Sequence, residues 1–567
     1  MKYVIVGAVA GGASAAARLR RNDEHAEIVI FEKGEHISYA NCGLPYYIGN
    51  VIKNRNALFV QTATAFNKRF NIDVRTLTKV VTINREQKTV TAKNQATGEL
   101  YDETYDKLVL SPGAEPVRPF LPGITNEGIF TLRNVTDTDY IKNYVQQREV
   151  KKAVVIGAGF IGIEMAENLH ALGIEVSIVE MANQVLAPVD YPVAAILQQY
   201  IRSKGVKLFL NSAVTGFEKN KESLLVQLKD GKELHADIVI LSIGVKPDTK
   251  LAADAGLKIG EAKGIWVNDY LQTSDPDIYA VGDAIEFENP VTGKSMVTLL
   301  AGPANKQGRM CADNMVYGNL KKYNGSINTA IVKVFDMTVA TAGMASKFLS
   351  QANIQHVVST TTSGSHAGYY PGSQQMTIQI AFSSGNGRLL GAQIIGFDGV
   401  DKRMDILSSV IKRNSTVSEL TEFEHAYAPP FSSAKDPVNM AAFAAENILQ
   451  KKSVLFYWNE FDKIKQEDIL IDVRTRNEFN AGKIKEAINI PLDEIRNRMS
   501  EIPKDKNIYI YCLGGMRGYL AQRIIVQNGF NSVFNLSGGY QLWKVCETEL
   551  NLINSNVDKT EPSYELH

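Results

Sequence analysis

The sequence predicts an α/β protein made of several domains. Two Gly-rich turns, about 150 residues apart, each follow a short apolar strand and open a helix. A single hydrophobic core rarely grows beyond roughly 250–300 residues, and this chain has 567. Apolar residues make up 45% of the chain, which is typical of globular packing. We therefore expect two units of parallel sheet and helix, followed by further domains.

Composition narrows the classes of partner. Lys and Arg number 61, as do Asp and Glu, so no excess charge points to nucleic acid or to an anionic membrane surface. No apolar run reaches the roughly 18 residues of a membrane span. The cysteines lie far apart, without the spacing of metal ligands, at positions 42, 311, 512 and 546. This pattern predicts no metal site and is typical of the reducing cytoplasm.

The first Gly-rich turn opens the chain. We expect a strand at residues 2–6, a helix at 13–21 and a second strand at 27–31 that ends at an acidic residue. The turn allows close approach of a pyrophosphate, the helix N-terminus faces its charge, and the acid binds a ribose hydroxyl. Val9 replaces the middle glycine of the usual pattern. The predicted nucleotide-binding residues are Gly7, Ala10, Gly11, Gly12, Glu32 and Lys33.

The second Gly-rich turn keeps the full G-x-G-x-x-G pattern. It follows a predicted strand at residues 152–156, and the next strand, at 175–179, ends at Glu180. An acid in that place favours the free 2′-hydroxyl of NAD over the 2′-phosphate of NADP. Two such units indicate two bound nucleotides. The predicted contacts here are Gly157, Gly159, Phe160, Ile161, Gly162, Glu164 and Glu180.

Cys42 lies in a turn directly after the first unit. No second cysteine follows within five residues, so redox chemistry must use a mixed disulfide, a persulfide or a sulfenic acid. Ser14, Arg18 and Arg21 share one face of the first helix. That face leaves the same nucleotide site, so a phosphate-rich substrate is expected, and Lys68 could add a further cationic contact.

Residues 273–283, which end in Gly282 and Asp283, resemble the second flavin fingerprint of the pyridine nucleotide-disulfide oxidoreductases. Together with the two Gly-rich units and Cys42, the resemblance covers residues 1 to about 445. It implies FAD in the first unit, NADH in the second, and Asp283 on the ribityl chain. The remaining flavin contacts that we expect are Ser111, Gly113, Ala114, Gly282 and Ala301.

The turn at residues 38–46 resembles the single-cysteine branch of that family, which contains coenzyme A-disulfide reductases, NADH oxidases and NADH peroxidases. The resemblance implies reduction of coenzyme A disulfide, coenzyme A persulfide or polysulfide at Cys42. An NADH oxidase that works through a Cys42 sulfenic acid is one alternative, but Ala10 stands where oxidase and peroxidase members usually have a His. The candidates for gripping coenzyme A are Ser14, Arg18, Arg21, Ser38, Asn41, Lys68 and Asn305.

Residues 325–447 read as a sheet-rich α+β domain, which the same resemblance identifies as the dimerisation domain of a homodimer. Two tyrosine segments, at residues 366–371 and 425–430, match the family. The resemblance implies that one tyrosine from each segment reaches the partner subunit's cysteine site. Tyr427 is the candidate in the second segment. In the first, Tyr369 is favoured over Tyr370.

A change of composition near residues 451–453 marks a last domain that resembles a rhodanese module. Cys512 follows a predicted strand at 507–511 and precedes a helix, so backbone N–H groups and the helix N-terminus should lower the thiol pKa and hold a persulfide. Arg517 adds positive charge, while Lys483 departs from the His of many members. A sulfurtransferase whose flavin half only senses redox state is a second alternative.

The expected architecture is therefore two Rossmann-like nucleotide-binding domains, an α+β dimerisation domain and a C-terminal α/β rhodanese domain. The boundaries that we predict are 1–115 with 251–324 for FAD, 116–250 for NADH, 325–447, 453–550, and a tail at 551–567. Two questions stay open at this level. One is which sulfur acceptor matters, and the other is whether the rhodanese serves its own or its partner's flavin site.

Overall fold

The computed structural model describes residues 1–220 and 223–555. Its internal contacts divide it into two units. The first consists of Met1–Met181 with Ser212–Asn328, and the second of Ala182–Asn211 with the chain from Thr329 onward. Both units mix helices with sheets, so the α/β class is confirmed. The domain boundaries stay predictions.

A parallel five-stranded sheet forms the centre of the first unit. Its strands, in spatial order, are Ile278–Ala280, Lys107–Leu110, Lys2–Val6, Glu27–Phe31 and Asp73–Arg75. The first four of these strands are short, mostly apolar and largely buried, as a parallel sheet requires when both of its faces are covered, whereas the edge strand Asp73–Arg75 is partly exposed. Helix Ala10–Asn22 connects the third and fourth of these strands, and it begins before the predicted residue 13, inside the Gly-rich turn itself.

The second Gly-rich turn lies in a sheet with the same plan. The strands Glu175–Val179, Lys152–Ile156, Ile238–Leu241 and Ile129–Phe130 pair in that order and are all parallel. Helix Phe160–Ala171 connects Lys152–Ile156 to Glu175–Val179. Because parallel strands end at the same edge, each Gly-rich turn lies at the carboxyl end of its sheet.

Smaller sheets and helices complete the first unit. The antiparallel strands are Thr78–Asn84, Thr89–Asn94, Leu100–Thr104, Val214–Lys219, Leu224–Leu228, Glu233–Ala236, Ala114–Pro116, Val245–Pro247 and Ser295–Val297, and the short strands Ile265–Trp266 and Ile285–Glu288 pair in parallel. The other α-helices are Leu44–Ile48, Ala63–Phe70, Val135–Gln147, Lys250–Asp254 and Ala301–Tyr317, and the 3₁₀ turns are Asn41–Gly43, Arg55–Leu58 and Gly282–Ala284.

The second unit contains an antiparallel five-stranded sheet in the segment predicted to dimerise. Its strands, in spatial order, are Ala330–Val334, Met337–Gly343, Leu389–Gly396, Gln375–Ser383 and His356–Gly364. The α-helices of this segment are Ser346–Gln351, Val400–Lys412, Val417–Thr421 and Pro437–Leu449. Val400–Lys412 and Pro437–Leu449 pack on the sheet, which gives the expected α+β arrangement.

A parallel five-stranded sheet follows in the C-terminal segment. Its strands, in spatial order, are Leu455–Phe456, Val533–Leu536, Ile508–Tyr511, Ile469–Asp472 and Ile488–Asn489. The helices are Arg476–Ala481, Met516–Gln527 and Gly539–Ser555, with 3₁₀ turns at Phe461–Lys463, Leu492–Glu494 and Met499–Glu501. The second unit also includes helix Tyr191–Ser203 and strand Lys207–Phe209.

The C-terminal helix corrects the predicted start of the tail. Gly539–Ser555 runs past residue 551 because its buried side packs against helix Tyr191–Ser203. Glu549 is fully buried there and accepts a hydrogen bond of 3.0 Å from Gln198 Nε2. The rest of the predicted tail, residues 556–567, lies outside the described residues. The rhodanese-like segment is thus held by packing to a helix that is distant in sequence.

Candidate functional site

The first Gly-rich turn lies in close contact with the backbone at Ser111. Gly7 has a φ of +95°, and a Cβ placed on it would collide with the carbonyl oxygen of Ser111. Among the described residues, no side chain caps the N-terminus of helix Ala10–Asn22. The first N–H groups of that helix are therefore available to a phosphate.

The acid predicted for the ribose is fixed by this turn. Glu32 is buried, and its carboxylate accepts hydrogen bonds from the backbone N–H groups of Ala8, at 2.9 Å, and Gly34, at 2.8 Å. Its neighbour Lys33 instead pairs with Glu115 and lies 3.5 Å from Asp248. Glu32 is thus held at the turn, as nucleotide binding requires.

A cavity of about 560 Å³ opens beside this turn, and it is lined by most of the predicted flavin-binding residues together with Cys42. Burial raises the pKa of Asp283, which lies on its wall. The volume and the Gly-rich lining fit a dinucleotide such as FAD. The predicted residues that line it are Gly7, Ala10, Gly11, Glu32, Lys33, Asn41, Cys42, Ser111, Gly113, Gly282, Asp283 and Ala301.

Gly12 and Ala114 are not part of that lining. A Cβ on Gly12 would collide with the carbonyl oxygen of Gly7, so this glycine allows the helix to pack tightly on the strand before it. Ala114 is buried in strand Ala114–Pro116, where its carbonyl oxygen accepts a hydrogen bond from Arg133. Gly12 and Ala114 therefore support the residues of the cavity wall without lining the cavity themselves.

Cys42 lies in the 3₁₀ turn Asn41–Gly43 and is exposed at the cavity. Surrounding protein atoms, followed by the carboxylates of Glu164 and Asp283, raise the pKa of its thiol above the usual range. Glu164 also accepts a hydrogen bond of 3.3 Å from the Tyr46 hydroxyl. Burial raises the pKa of Glu164 itself to about 7. A carboxyl group whose own pKa is raised thus contributes to the raised pKa of the Cys42 thiol.

The second Gly-rich turn repeats the geometry of the first. Gly157 has a φ of +99°, and a Cβ on it would collide with the carbonyl oxygen of Ser242. Glu180 accepts a hydrogen bond of 2.8 Å from the backbone N–H of Ala158, as Glu32 does from that of Ala8. The turn and its acid therefore fit a second nucleotide, whose ribose Glu180 would bind.

The predicted coenzyme A residues are partly engaged with one another and with nearby groups. Ser14 donates a hydrogen bond of 2.6 Å to Asn305, which joins helices Ala10–Asn22 and Ala301–Tyr317. Arg18 forms an ion pair of 2.6 Å with Asp313. Arg21 and Lys68 are exposed. Ser38 forms a backbone hydrogen bond, in which its N–H donates to the Ala8 carbonyl oxygen at 2.8 Å.

In the second unit, the two tyrosine segments meet. The hydroxyl groups of Tyr369 and Tyr427 lie 2.8 Å apart, and both side chains are exposed. Tyr370 instead packs its ring edge-on against His366, with 5.6 Å between the ring centroids. This geometry supports Tyr369 as the partner of Tyr427.

A buried arginine holds the two segments together. Arg403 is 1% exposed and donates to the Ser365 carbonyl at 2.7 Å and to Asp436 at 2.9 Å. Asp436 is fully buried and also accepts from Ser432. Ser365 and Ser432 adjoin the first and second tyrosine segments, so one guanidinium group positions both.

Replacing this arginine should destabilise the protein strongly. Arg403→Met would leave the Asp436 carboxylate buried without its cation, which costs about 3–5 kcal/mol of unfolding free energy. Urea unfolding measures the loss, and Asp405→Asn, at an exposed site on the same helix, is the matched control. An Arg403→Met variant as stable as the control would contradict this role.

Cys512 lies in the loop between strand Ile508–Tyr511 and helix Met516–Gln527. The residue is 2% exposed, and its sulfur accepts a hydrogen bond of 3.1 Å from the Gly515 N–H. The loop carbonyls of Cys512 and Leu513 accept from the N–H groups of Tyr540 and Gln541, at 2.8 and 3.0 Å. The loop is thus rigidly held, with a backbone donor aimed at the sulfur.

One group at these sites escaped sequence reasoning. Arg133 lines the cavity and lies against Gly113, but no motif surrounds it.

The rhodanese-like segment contains an ion pair that sequence spacing does not indicate. Glu478 binds Arg517 through both carboxylate oxygens, at 2.6 and 2.8 Å. The two residues lie 39 positions apart, so only the structure shows that they meet.

Residues 1–220 and 223–555 contain no group of three or more His, Cys, Asp or Glu side chains able to hold a metal ion. In the same part of the chain, no helix combines the length and the apolar character needed to cross a bilayer.

Family models match three parts of the chain. The model described as pyridine nucleotide-disulphide oxidoreductase matches residues 1–308, and the dimerisation domain of the same family matches residues 329–437. A rhodanese-like domain matches residues 457–546. All three agree with the domains expected from the sequence.

Similar proteins extend these matches. The coenzyme A disulfide reductase of Staphylococcus haemolyticus is 37% identical over 79% of this chain and all of its own length. The crystal structure of reduced CoADR-RHD from Bacillus anthracis has a TM-score of 0.95 and 50% identity, covering 97% of this chain and 98% of that one. The NAD-dependent persulfide reductase of A. fulgidus has a TM-score of 0.89 and 37% identity, covering 96% and 100%.

Proposed function

Because the chain belongs to the pyridine nucleotide-disulphide oxidoreductase family, we propose that it is an NADH-dependent reductase of sulfur–sulfur bonds that acts through Cys42. Its substrates are coenzyme A disulfide, coenzyme A persulfide or polysulfide. The observation that carries the proposal is a single cysteine in a cavity that fits FAD, in a chain similar to coenzyme A disulfide and persulfide reductases.

Cys42 is the nucleophile of the proposed reaction. Its thiolate attacks one sulfur of the substrate disulfide, a new S–S bond forms at Cys42, and the second sulfur leaves with the electron pair as a thiolate. When bound, FAD supplies the two-electron chemistry that links NADH to the sulfur at Cys42. Because the surrounding protein, followed by the carboxylates of Glu164 and Asp283, raises the pKa of the free thiol, attack should speed up as the pH rises.

A tyrosine hydroxyl completes the proton balance. The departing thiolate takes a proton from Tyr427 or Tyr369 of a second copy of the chain, acting as general acid. The hydrogen bond between these two hydroxyl groups and their exposure within one protomer support this role. We therefore propose a homodimer, formed through the domain that matches the family's dimerisation model.

The candidate coenzyme A site is the helix face shared by Ser14, Arg18 and Arg21, with Ser38, Asn41, Lys68 and Asn305 as its other members. Cationic side chains there suit the phosphates of coenzyme A. Cys512 carries sulfane sulfur to or from Cys42. The cysteines are all free thiols, which supports the reducing cytoplasm as the compartment.

The preference for NADH over NADPH tests the proposed role of Glu180. The Glu180 carboxylate should repel a 2′-phosphate, so kcat/KM for NADH should exceed that for NADPH at least about tenfold. Steady-state rates with each coenzyme and one sulfur acceptor measure the ratio. Equal efficiency would contradict the role of Glu180.

The electron acceptor distinguishes the proposed reductase from the two alternatives, an NADH oxidase and a sulfurtransferase. We expect anaerobic NADH oxidation with coenzyme A disulfide or polysulfide as sole acceptor, and little oxidation with oxygen or peroxide, because Ala10 provides no imidazole in the first turn. Fast turnover with oxygen alone would favour an NADH oxidase. No NADH-dependent turnover would favour a sulfurtransferase with a redox-sensing flavin half.

A further inference from the structure

A histidine in the second tyrosine segment is buried without a hydrogen bond. The side chain of His425 is 4% exposed, and neither of its ring nitrogens has a hydrogen-bonding partner in the part of the chain that the structure describes. The ring packs against that of Phe423, with 5.0 Å between the two centroids. Leaving a buried polar group unpaired costs stability, so packing alone does not account for a histidine at this position.

The imidazole lies just beyond hydrogen-bonding distance of a buried carboxylate. The Nδ1 atom of His425 is 3.8 Å from Oδ1 of Asp436, whereas a hydrogen bond between them needs about 2.9 Å. A shift of about 1 Å would therefore join the two groups. Asp436 already accepts hydrogen bonds from Arg403, from the Ser432 hydroxyl and from the Val438 N–H, at 3.0 Å for the last.

The charges around His425 favour its neutral form at neutral pH. Burial lowers the pKa of His425 below its ordinary value, Asp436 opposes that shift, and the cations Lys402 and Arg403 add to it. These groups come from the start of helix Pro437–Leu449 and from helix Val400–Lys412. His425 therefore takes up a proton only in acid, and the proton comes from the solvent.

A protonated ring would compete with the arginine that positions both tyrosine segments. An imidazolium is attracted to a nearby carboxylate, and the carboxylate within reach is that of Asp436, which also binds Arg403. Arg403 in turn donates to the Ser365 carbonyl beside the first tyrosine segment. Movement of the ring toward Asp436 would thus loosen the contact that holds that segment.

The same movement would displace the second tyrosine directly. Tyr427 follows His425 by two residues, and its hydroxyl lies 2.8 Å from that of Tyr369. The segment before the histidine is anchored, because Asn439 donates to the Phe423 carbonyl at 3.1 Å. A shift of His425 therefore has to be taken up on its other side, toward Tyr427.

From this arrangement we propose that His425 is a positioning residue, whose neutral form keeps the Tyr427 hydroxyl beside that of Tyr369. Protonation of the ring draws it to Asp436, separates the two hydroxyl groups and prevents proton delivery to the departing thiolate. The inference deepens the proposed function, on which it rests, because it adds a second proton equilibrium to the same reaction.

The test is the pH dependence of a single turnover. The reduced, full-length protein is mixed anaerobically with excess coenzyme A disulfide, and the released coenzyme A is measured after rapid quenching with acid. Ionisation of Cys42 alone makes the logarithm of the rate constant rise with pH at a slope of about one. Below about pH 6.5 we expect a slope that approaches two, since His425 must also lose its proton.

One substitution isolates the histidine. His425→Gln keeps a neutral polar side chain that cannot become a cation, so the slope should return to about one over the same pH range. His425→Asn repeats the comparison with a shorter side chain. His235→Gln, at an exposed site on strand Glu233–Ala236, is the matched control and should keep the steeper slope.

Two further measurements do not depend on catalysis. In protein with isotopically labelled histidine, the NMR signal that His425→Gln lacks belongs to His425, and its titration midpoint should lie below the ordinary value of histidine. The free energy of unfolding should decrease as the pH falls from that ordinary value toward the midpoint, because the unfolded chain binds the proton first. This decrease should be smaller in His425→Gln.

Two results would overturn the inference. One is a slope that is the same in the unmodified protein and in a folded His425 variant. The other is a His425 signal that titrates at or above the ordinary value. Absence of coenzyme A release at every pH would instead overturn the proposed function, and the NMR titration would still test His425.

Discussion

Cys42→Ser should abolish NADH-dependent reduction of every sulfur acceptor, lowering kcat/KM at least about a thousandfold. A serine hydroxyl can form neither a mixed disulfide nor a persulfide, so the electrons of NADH have no sulfur to reach. The protein should still bind FAD, because Gly7, Glu32 and Asp283 line the cavity independently of this side chain. Steady-state NADH oxidation and the flavin absorbance of the purified variant measure both expectations.

Cys311→Ala is the matched control for that substitution. Cys311 is fully buried in helix Ala301–Tyr317, and burial raises its pKa, so it should take no part in redox chemistry. The control should keep the activity of the unmodified protein. If Cys42→Ser retained reduction of coenzyme A disulfide, the role of Cys42 as nucleophile would be wrong.

Cys512→Ser should divide the substrates into two groups. Transfer of persulfide sulfur to the rhodanese-like domain should be lost, and reduction of sulfane-sulfur substrates should slow at least about tenfold. Coenzyme A disulfide should be reduced within about twofold of the normal rate, because its exposed S–S bond reaches Cys42 directly. Matched NADH-oxidation rates for both cysteine variants with each acceptor provide the measurement.

Either of two outcomes would contradict that division of labour. If Cys512→Ser also abolished reduction of coenzyme A disulfide, the two cysteines would form one inseparable site. If it changed nothing with polysulfide or persulfide, the rhodanese-like domain would serve a reaction of its own.

The parts of the molecule that the sequence predicted are those set by local spacing. A Gly-rich turn after a buried strand has few other uses, so spacing alone predicted the turns at Gly7 and Gly157, and the structure contains both turns. The same holds for Cys512, because a cysteine between a strand and a helix indicates its loop by position alone. Even so, the helix after Gly7 begins at Ala10, inside the turn, since helix boundaries depend on hydrogen bonds that spacing does not specify.

Contacts between distant residues could not be predicted in this way. Arg403 reaches Asp436 across 33 residues, and Glu478 reaches Arg517 across 39, so spacing indicates neither contact. The C-terminal helix was mistaken in part for a tail because its partner helix lies several hundred residues earlier, where Gln198 meets Glu549. These pairs arise from packing, and a single sequence carries no pattern that marks them.

The central claim is that Cys42 exchanges with a coenzyme A disulfide, and mass spectrometry of the peptide that contains Cys42 tests it most directly. The reduced protein is mixed anaerobically with coenzyme A disulfide, quenched with acid, and compared with a sample that then receives NADH. The account predicts one coenzyme A attached to Cys42 through a disulfide, which disappears after NADH is added. A Cys42 that acquires no coenzyme A, but becomes a sulfenic acid when oxygen is admitted, would contradict it.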